Sequence, residues 1–141
     1  MARTAALVLA MIVLLASFPV AAEHEVYYRF VVLGFVKDVA GQPVKGRTIE
    51  VVRDKTSFSY LAETDDRGLY VAVARLGDES AGETLTVKVG PLSQKVTATF
   101  DAANHADDRG TRLDLEGSTF VERPAWFRST LTRFLGERGG Q

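Results

Sequence analysis

The sequence predicts an all-β fold, an antiparallel β-sandwich of about seven strands that is followed by a short C-terminal amphipathic helix. Apolar residues recur at every second position through most of residues 25–117, which is the spacing of strands that bury one face. Segments rich in Gly, Pro and Asp separate these strands at intervals of about ten residues. No long helical pattern interrupts them, which argues against a parallel α/β sheet. The alternation itself is compatible with a sandwich and with a small barrel.

The first 22 residues predict a secretory signal peptide. Arg3 supplies a positive charge, residues 5–16 are all apolar, and Pro19 follows this run before the polar Glu23. An uncleaved membrane anchor is the alternative, but the apolar run is shorter than the roughly 20 residues that span a bilayer. We therefore expect cleavage after Ala22 and a periplasmic or secreted protein.

Composition indicates one domain that is held together by its hydrophobic core. The chain has no cysteine, so it offers neither disulfides nor the attachment residue of a lipoprotein. Removal of residues 1–22 leaves 119 residues with 16 basic and 18 acidic side chains, a balance that gives no indication of nucleic-acid binding. We expect a β-sandwich over residues 23–117 and a tail over residues 118–141.

Two predicted strands are apolar on both faces, at residues 27–36 and 69–76. Such strands usually have a cover on each side. The other predicted strands alternate apolar and polar side chains and have one face in water. They are expected at residues 49–51, 58–60, 84–89, 95–100 and 112–116.

The four residues DDRG occur twice, at residues 65–68 and 107–110. They could form a duplicated acidic site or the same turn written twice. Asp accepts hydrogen bonds from the backbone that follows it and Gly adopts a positive φ, so DDRG between two strands is typical of a turn. A calcium loop needs acidic ligands at alternating positions, whereas these are adjacent. The sequence therefore favours two turns.

The second copy lies among possible metal ligands, namely Asp101, Asn104, His105, Asp107 and Asp108. Histidine with carboxylates can bind zinc or copper, but the only other histidine is His24, beside the predicted cleavage site. A Ser or Thr nucleophile would need His105 as its base, and the nucleophile-elbow and phosphate-loop patterns are absent. We expect no metal, no cofactor and no catalytic residues.

The tail predicts a short amphipathic helix over residues 124–135. Pro124 suits a first helical turn and Gly136 a helix end, so residues 137–141 are expected to fray. The helix could pack on its own sheet, dock on a partner or lie on a membrane surface. Its apolar stripe, the candidate contact surface, contains Trp126, Phe127, Leu131, Phe134 and Leu135.

Residues 32–70 carry the pattern V-x-G-x-V-x-D-x-x-G-x-P-V-x-G, then I-x-V, then T-D-x-x-G-x-Y. This pattern resembles the carboxypeptidase regulatory-like domains, accessory modules of the prealbumin-like β-sandwich group, which are similar in shape to immunoglobulin domains. The resemblance implies no peptidase activity, because the zinc ligands of carboxypeptidases lie in a separate catalytic domain. It places five motif residues in the core: Val32, Val36, Ile49, Val51 and Tyr70.

Relatives of this group suggest three further activities. Transthyretin-like hydrolases use several histidines and a C-terminal Tyr-Arg-Gly-Ser, whereas this chain has two histidines and ends ERGGQ. Some adhesin domains form a Lys–Asn isopeptide bond, for which Asn104 is the only asparagine. Similar carbohydrate-binding modules expose aromatic platforms, for which Tyr27, Tyr28 and Trp126 are the candidates.

These observations predict an exported, non-catalytic accessory protein that binds another protein of the cell envelope. The alternatives are a carbohydrate- or cell-wall-binding module and a transthyretin-like hydrolase.

Intact-mass measurement of the exported protein is expected to show a chain that begins at Glu23, because the small residues before it fit the signal-peptidase site. A full-length product retained in the membrane would identify an uncleaved anchor instead.

Overall fold

The computed structural model describes residues 25–139, which form two stacked four-stranded β-sheets and one C-terminal helix. This confirms the predicted all-β sandwich. The predicted signal peptide, its cleavage site and His24 lie outside the described residues. The strands in chain order are β1 (Phe30–Lys37), β2 (Thr48–Arg53), β3 (Phe58–Glu63), β4 (Leu69–Ala74), β5 (Thr84–Val89), β6 (Leu92–Thr97), β7 (Gly110–Glu116) and β8 (Thr119–Glu122).

The strand order is β4-β1-β7-β8 in the first sheet and β3-β2-β5-β6 in the second. All neighbours are antiparallel except β1 and β7, which are parallel. The first sheet is therefore mixed, which differs from the antiparallel prediction. The chain passes to the second sheet after β4 and returns after β6, and this long crossover allows β7 to enter beside β1 in the same direction. A period-two pattern cannot report strand direction.

Two tight turns explain why the structure has eight strands and why β6 begins earlier than predicted. Gly90, with a φ of 57°, lies in a two-residue turn, since Val89 already pairs with Leu92. Gly117, with a φ of 67°, lies in a second one and leads directly into β8. Such turns favour glycine because they require positive φ values. The strand β8 thus lies within the segment that the sequence assigns to the tail. At the other end, β1 begins at Phe30 because Val26–Tyr28 forms a 3-10 helix.

Side chains from both sheets form one main core between them. The five residues that the family resemblance places in the core are all buried there, and none exposes more than 3% of its surface. The sandwich therefore buries inward-facing residues of the alternating strands, as the period-two pattern predicts, except in β3, none of whose residues is fully buried.

The strands β1 and β7 approach each other most closely at Gly34. A Cβ at this position would overlap the carbonyl oxygen of Leu113, so no other residue fits there. The Tyr70 hydroxyl of β4 donates a hydrogen bond to that carbonyl, at 2.5 Å. The Phe35 N–H donates to the Asp114 carboxylate instead, at 2.8 Å. The Leu113 carbonyl and the Phe35 N–H thus each form a hydrogen bond with a side chain.

The first DDRG copy is a turn, as predicted. Gly68 has a φ of 78° and its N–H donates to the Asp65 carbonyl at 2.9 Å. The Asp65 carboxylate accepts hydrogen bonds from the N–H groups of Arg67 and Leu69. Because β3 and β4 belong to different sheets, this turn carries the chain between sheets and does not close a hairpin.

The turn prediction is wrong for the second DDRG copy. Gly110 is the first residue of β7 and does not have a positive φ, and the Arg109 side chain is buried. The same four letters adopt a different structure here because Asp78 and backbone carbonyls accept hydrogen bonds from the Arg109 guanidinium and hold it inside.

The C-terminal helix α1 (Phe127–Gly139) follows a 3-10 turn, Pro124–Trp126, and runs past the predicted end at residue 135. Gly136 does not terminate it. The Glu137 side chain binds Arg67 through both guanidinium nitrogens, at 2.6 and 3.0 Å, and this ion pair fastens the last turns to the sandwich. Among residues 25–139, no helix is long and apolar enough to cross a membrane.

The helix covers the outer face of the first sheet. Phe127 and Leu131 are buried against Val31 and Leu33 of β1, and Val71 and Phe134 pack around them. The second apolar face of β1, conspicuous in the sequence, is therefore covered by the protein's own tail. Of the three possibilities predicted for the helix, the structure shows the first, in which the helix packs on its own sheet.

Replacement of Phe127 by Ala is expected to lower the free energy of unfolding by about 3–5 kcal/mol, because the ring is buried between the helix and β1. The matched change Leu135→Ala, on the same helix but half exposed, should change it by less than about 0.5 kcal/mol. Urea denaturation of both variants measures this, and equal losses would contradict the packing.

Candidate functional site

The predicted contact stripe is split by the fold. Phe127, Leu131 and Phe134 face the sheet, whereas Trp126 and Leu135 remain half exposed. The stripe therefore does not form a continuous apolar surface for a partner or a membrane.

Trp126 belongs to a cluster of charged side chains around Asp114. The guanidinium groups of Arg112 and Arg123 lie 5.2 and 5.4 Å from the centre of its ring, within the range of cation–π contacts. Both arginines donate to the buried Asp114 carboxylate, and Arg112 also donates to the Thr130 hydroxyl at 3.1 Å. Asp114 accepts from Phe35 as well, so its charge is fully surrounded by donors. This cluster fixes the start of the helix on β7, which is a structural role.

The aromatic residues proposed for sugar binding do not share a flat surface. The Tyr27 ring stacks on the His105 ring, with centroids 4.3 Å apart. Its plane is tilted by 46° from that of Tyr28. Trp126 lies in the separate Asp114 cluster.

The possible metal ligands of residues 101–108 are engaged with different partners. The Asn104 side chain donates to Asp107 at 2.8 Å, and Asp108 pairs with Arg29 at 3.1 Å. Asp101 accepts from the backbone N–H of Ala103. Among residues 25–139, no three such side chains are arranged to hold a metal ion. His105 binds Asp78 across the loop, at 2.8 Å.

Arg109, a residue that its sequence pattern does not single out, organises this region. Its side chain is 3% exposed and donates to the Asp78 carboxylate at 2.9 Å and to the Tyr27 and Asn104 carbonyls at 3.1 and 3.0 Å. Its guanidinium also lies 4.2 Å from the centre of the Phe100 ring. Arg109 and then His105 lower the pKa of Asp78. An arginine in a turn-like motif is usually exposed, so the sequence carries no signal of this burial.

A cleft of about 500 Å³ lies next to Arg109, between the loop 98–109, β7 and the start of the helix. Its carboxylates are used internally: Asp107 binds Asn104 and Arg128, and Glu122 accepts from the Thr111 hydroxyl. The arrangement holds the loop in place.

A second depression, which we call the edge groove, lies between the exposed ends of β3 and β4 and has a volume of about 590 Å³. Three of the seven exposed large apolar side chains in the described residues line it, namely Phe58, Leu61 and Val73, with exposures of 62%, 68% and 46%. Large apolar side chains that line one exposed depression are typical of interaction sites. The full lining is Arg53, Thr56, Phe58, Ser59, Tyr60, Leu61, Val73 and Arg75.

The charged side chains in this lining are both arginines. Arg53 is held rigidly, because it donates to both carboxylate oxygens of Glu83 at 2.7 and 2.8 Å and to the Ser80 hydroxyl at 3.1 Å. These hydrogen bonds from Arg53 lower the pKa of Glu83 to about 2. The wall of the groove is therefore preorganised at this end.

The sequence partly indicates the edge groove through the residues of β3. The predicted strand at 58–60 is in fact six residues long, and in FSYLAE apolar residues occupy both faces while the only charge is at its end. Such a strand needs a cover on its second side or remains exposed, as here.

The chain matches no protein-family model and no curated protein sequence. A similar solved structure is the dioxygenase domain of a dioxygenase–carbohydrate-binding protein fusion from Streptomyces sp. SirexAA-E. The identity is 15%, the match covers 67% of this chain and 75% of that one, and the TM-score is 0.37. A likeness at this level carries no argument about activity.

Replacement of Glu83 by Gln is expected to destabilise the protein at pH 7 by about 1.5–3 kcal/mol, because it removes the charged partner of Arg53. The folded pKa of Glu83, about 2, lies below its ordinary value of 4.5, so the folded state binds fewer protons than the unfolded state. This contribution is fully present above pH 4.5 and is lost as the pH falls towards 2. Chemical denaturation at several pH values should show the two proteins converging in acid, and a constant difference would contradict the pairing.

Proposed function

We propose that this protein is a non-catalytic accessory module of the cell envelope that binds another protein through the edge groove. The observation that carries the proposal is the cluster of exposed Phe58, Leu61 and Val73 beside arginine side chains. Aromatic residues and arginine are enriched at the centres of protein interfaces. The apolar side chains would contribute to affinity by leaving water.

Two sequence features support the exported and accessory parts of the proposal. The N-terminal segment has the layout of a signal peptide, and residues 32–70 resemble an accessory module of the prealbumin-like group. The Val32 and Tyr70 positions of that motif lie in the core and do not line the edge groove.

The pairing of ionisable groups supports a binding role over a catalytic one. His105 and Arg109 both contact Asp78, and the carboxylates of the neighbouring loop bind arginine or amide groups. A general base needs to reach a substrate proton, whereas these groups are directed at one another.

Site-specific photo-crosslinking tests the proposal in the cells that make the protein. A photoreactive residue in place of Leu61 is expected to give one protease-sensitive adduct of defined mass, because position 61 lies in the groove. The same residue in place of Lys88, exposed on the second sheet outside the groove, is the matched control and should give none.

Absence of an adduct at position 61, or equal adducts at both positions, would count against protein binding through this groove. Specific retention on a glycan array together with that absence would support the carbohydrate-binding alternative.

A further inference from the structure

The free edge of β3 presents backbone groups to the edge groove. Within residues 25–139, β3 pairs with β2 on one side only. The Thr64 N–H donates to the Arg47 carbonyl at 2.9 Å, immediately beyond the β2–β3 ladder. Hydrogen-bonded pairs recur at every second position of an antiparallel ladder. Every second residue before Thr64 therefore directs its backbone groups at β2. The residues between them, which include Ser59 and Leu61, direct theirs away from β2, towards the open edge.

This edge lacks the features that protect other sheet edges. Proteins discourage added strands with lysine, proline, bulges or very short edge strands. At the opposite edge of the same sheet, β6 carries Lys95, whose ammonium binds Asp54 at 2.8 Å. In the first sheet the outer strand β8 has only four residues. By contrast, β3 runs for six residues and its only charged residue is Glu63, at its end.

The second open edge, β4, is less suited to receive a strand. Four of its six residues are buried, whereas no residue of β3 is. The exposed Val73 of β4 instead forms part of the wall beside β3.

The side chains around this edge indicate which residues a strand added beside β3 would carry. A strand added beside β3 lies about 4.8 Å from it, so its alternate side chains contact Leu61 on one face and Phe58 with Tyr60 on the other. Apolar residues fit both contacts. The charge of Arg53 in the lining is already balanced by Glu83, so the apolar side chains and the backbone edge are what this groove offers to a partner.

We infer that the edge groove binds an extended polypeptide segment with apolar side chains at alternate positions, which pairs with the free backbone edge of β3 as a fifth strand of the second sheet. This inference rests on the proposed function and specifies the partner segment and its mode of binding. Backbone hydrogen bonds supply affinity, and the apolar contacts at Phe58, Tyr60 and Leu61 supply selectivity.

The probe for a first test is a display library of random linear heptapeptides, selected on the chain from Glu23 to Gln141. The enriched peptides are expected to have apolar residues at alternate positions and no central Pro. A resynthesised peptide is then methylated at one backbone nitrogen at a time. Methylation should weaken binding about tenfold at every second amide and have little effect at the amides between them, because only alternate amides face β3.

The matched protein variants are Ser59→Pro and Ser59→Ala. Proline removes an outward N–H from the edge without interrupting the β2–β3 ladder, and alanine keeps it. Ser59→Pro should lower peptide affinity about tenfold and Ser59→Ala should not, at equal thermal stability. If Ser59→Pro fails to fold, the methylation series still decides the question, because it leaves the protein unchanged.

Three results would overturn strand addition: no enriched peptide, a response to methylation without a period of two, or loss of binding through Val73→Pro but not through Ser59→Pro. Each leaves the crosslinking result at position 61 intact. A crosslinked protein partner without strand pairing would thus retain the proposed function and remove only this inference.

Discussion

The close contact of β1 and β7 at Gly34 holds the first sheet and the tail in their positions. Because Gly34 has no side chain, the Leu113 carbonyl reaches the β1 backbone and receives its hydrogen bond from Tyr70 of β4. The Phe35 amide then needs another acceptor, and Asp114 provides it. The buried Asp114 carboxylate in turn requires cations. Arg112 and Arg123 supply them, and through Arg112 the network reaches the helix hydroxyl of Thr130.

Charge in this protein serves mainly to hold irregular segments in place. Arg109 joins the N-terminal 3-10 helix, the 3-10 turn Asp78–Ser80 and the loop 98–109 by donating to one carboxylate and several carbonyls. Arg53 and Glu83 close the end of the second sheet in a similar way. Because these groups are paired with one another, the clusters that suggest catalysis or metal binding in the sequence are occupied by structural contacts. The groups that remain available to a partner are therefore exposed apolar side chains and an unpaired strand edge.

The two sheets differ in how they are covered, and this difference locates that surface. The outer face of the first sheet is covered by α1, which buries Phe127 and Leu131. The outer face of the second sheet is largely polar, with Thr86 and Lys95 bound to Asp54. Within residues 25–139, no second strand pairs with the free edge of β3, and the only charged residue of this strand is Glu63, at its end. An apolar strand edge that stays exposed in a folded chain is either a site of aggregation or a binding site.

The sequence by itself determined the all-β class, the inward-facing core residues and the amphipathic helix, because these follow from periods of two and 3.6 that any single strand or helix must satisfy. It also indicated the first DDRG turn, where Asp65 and Gly68 act locally. Only the tertiary structure decided the parallel pairing of β1 with β7, the burial of Arg109 and the exposure of β3, because each depends on which distant segment lies alongside. The two DDRG copies show the difference. Identical letters form a turn at residues 65–68, whereas in the second copy Arg109 is buried, since acceptors from elsewhere in the chain bind its guanidinium.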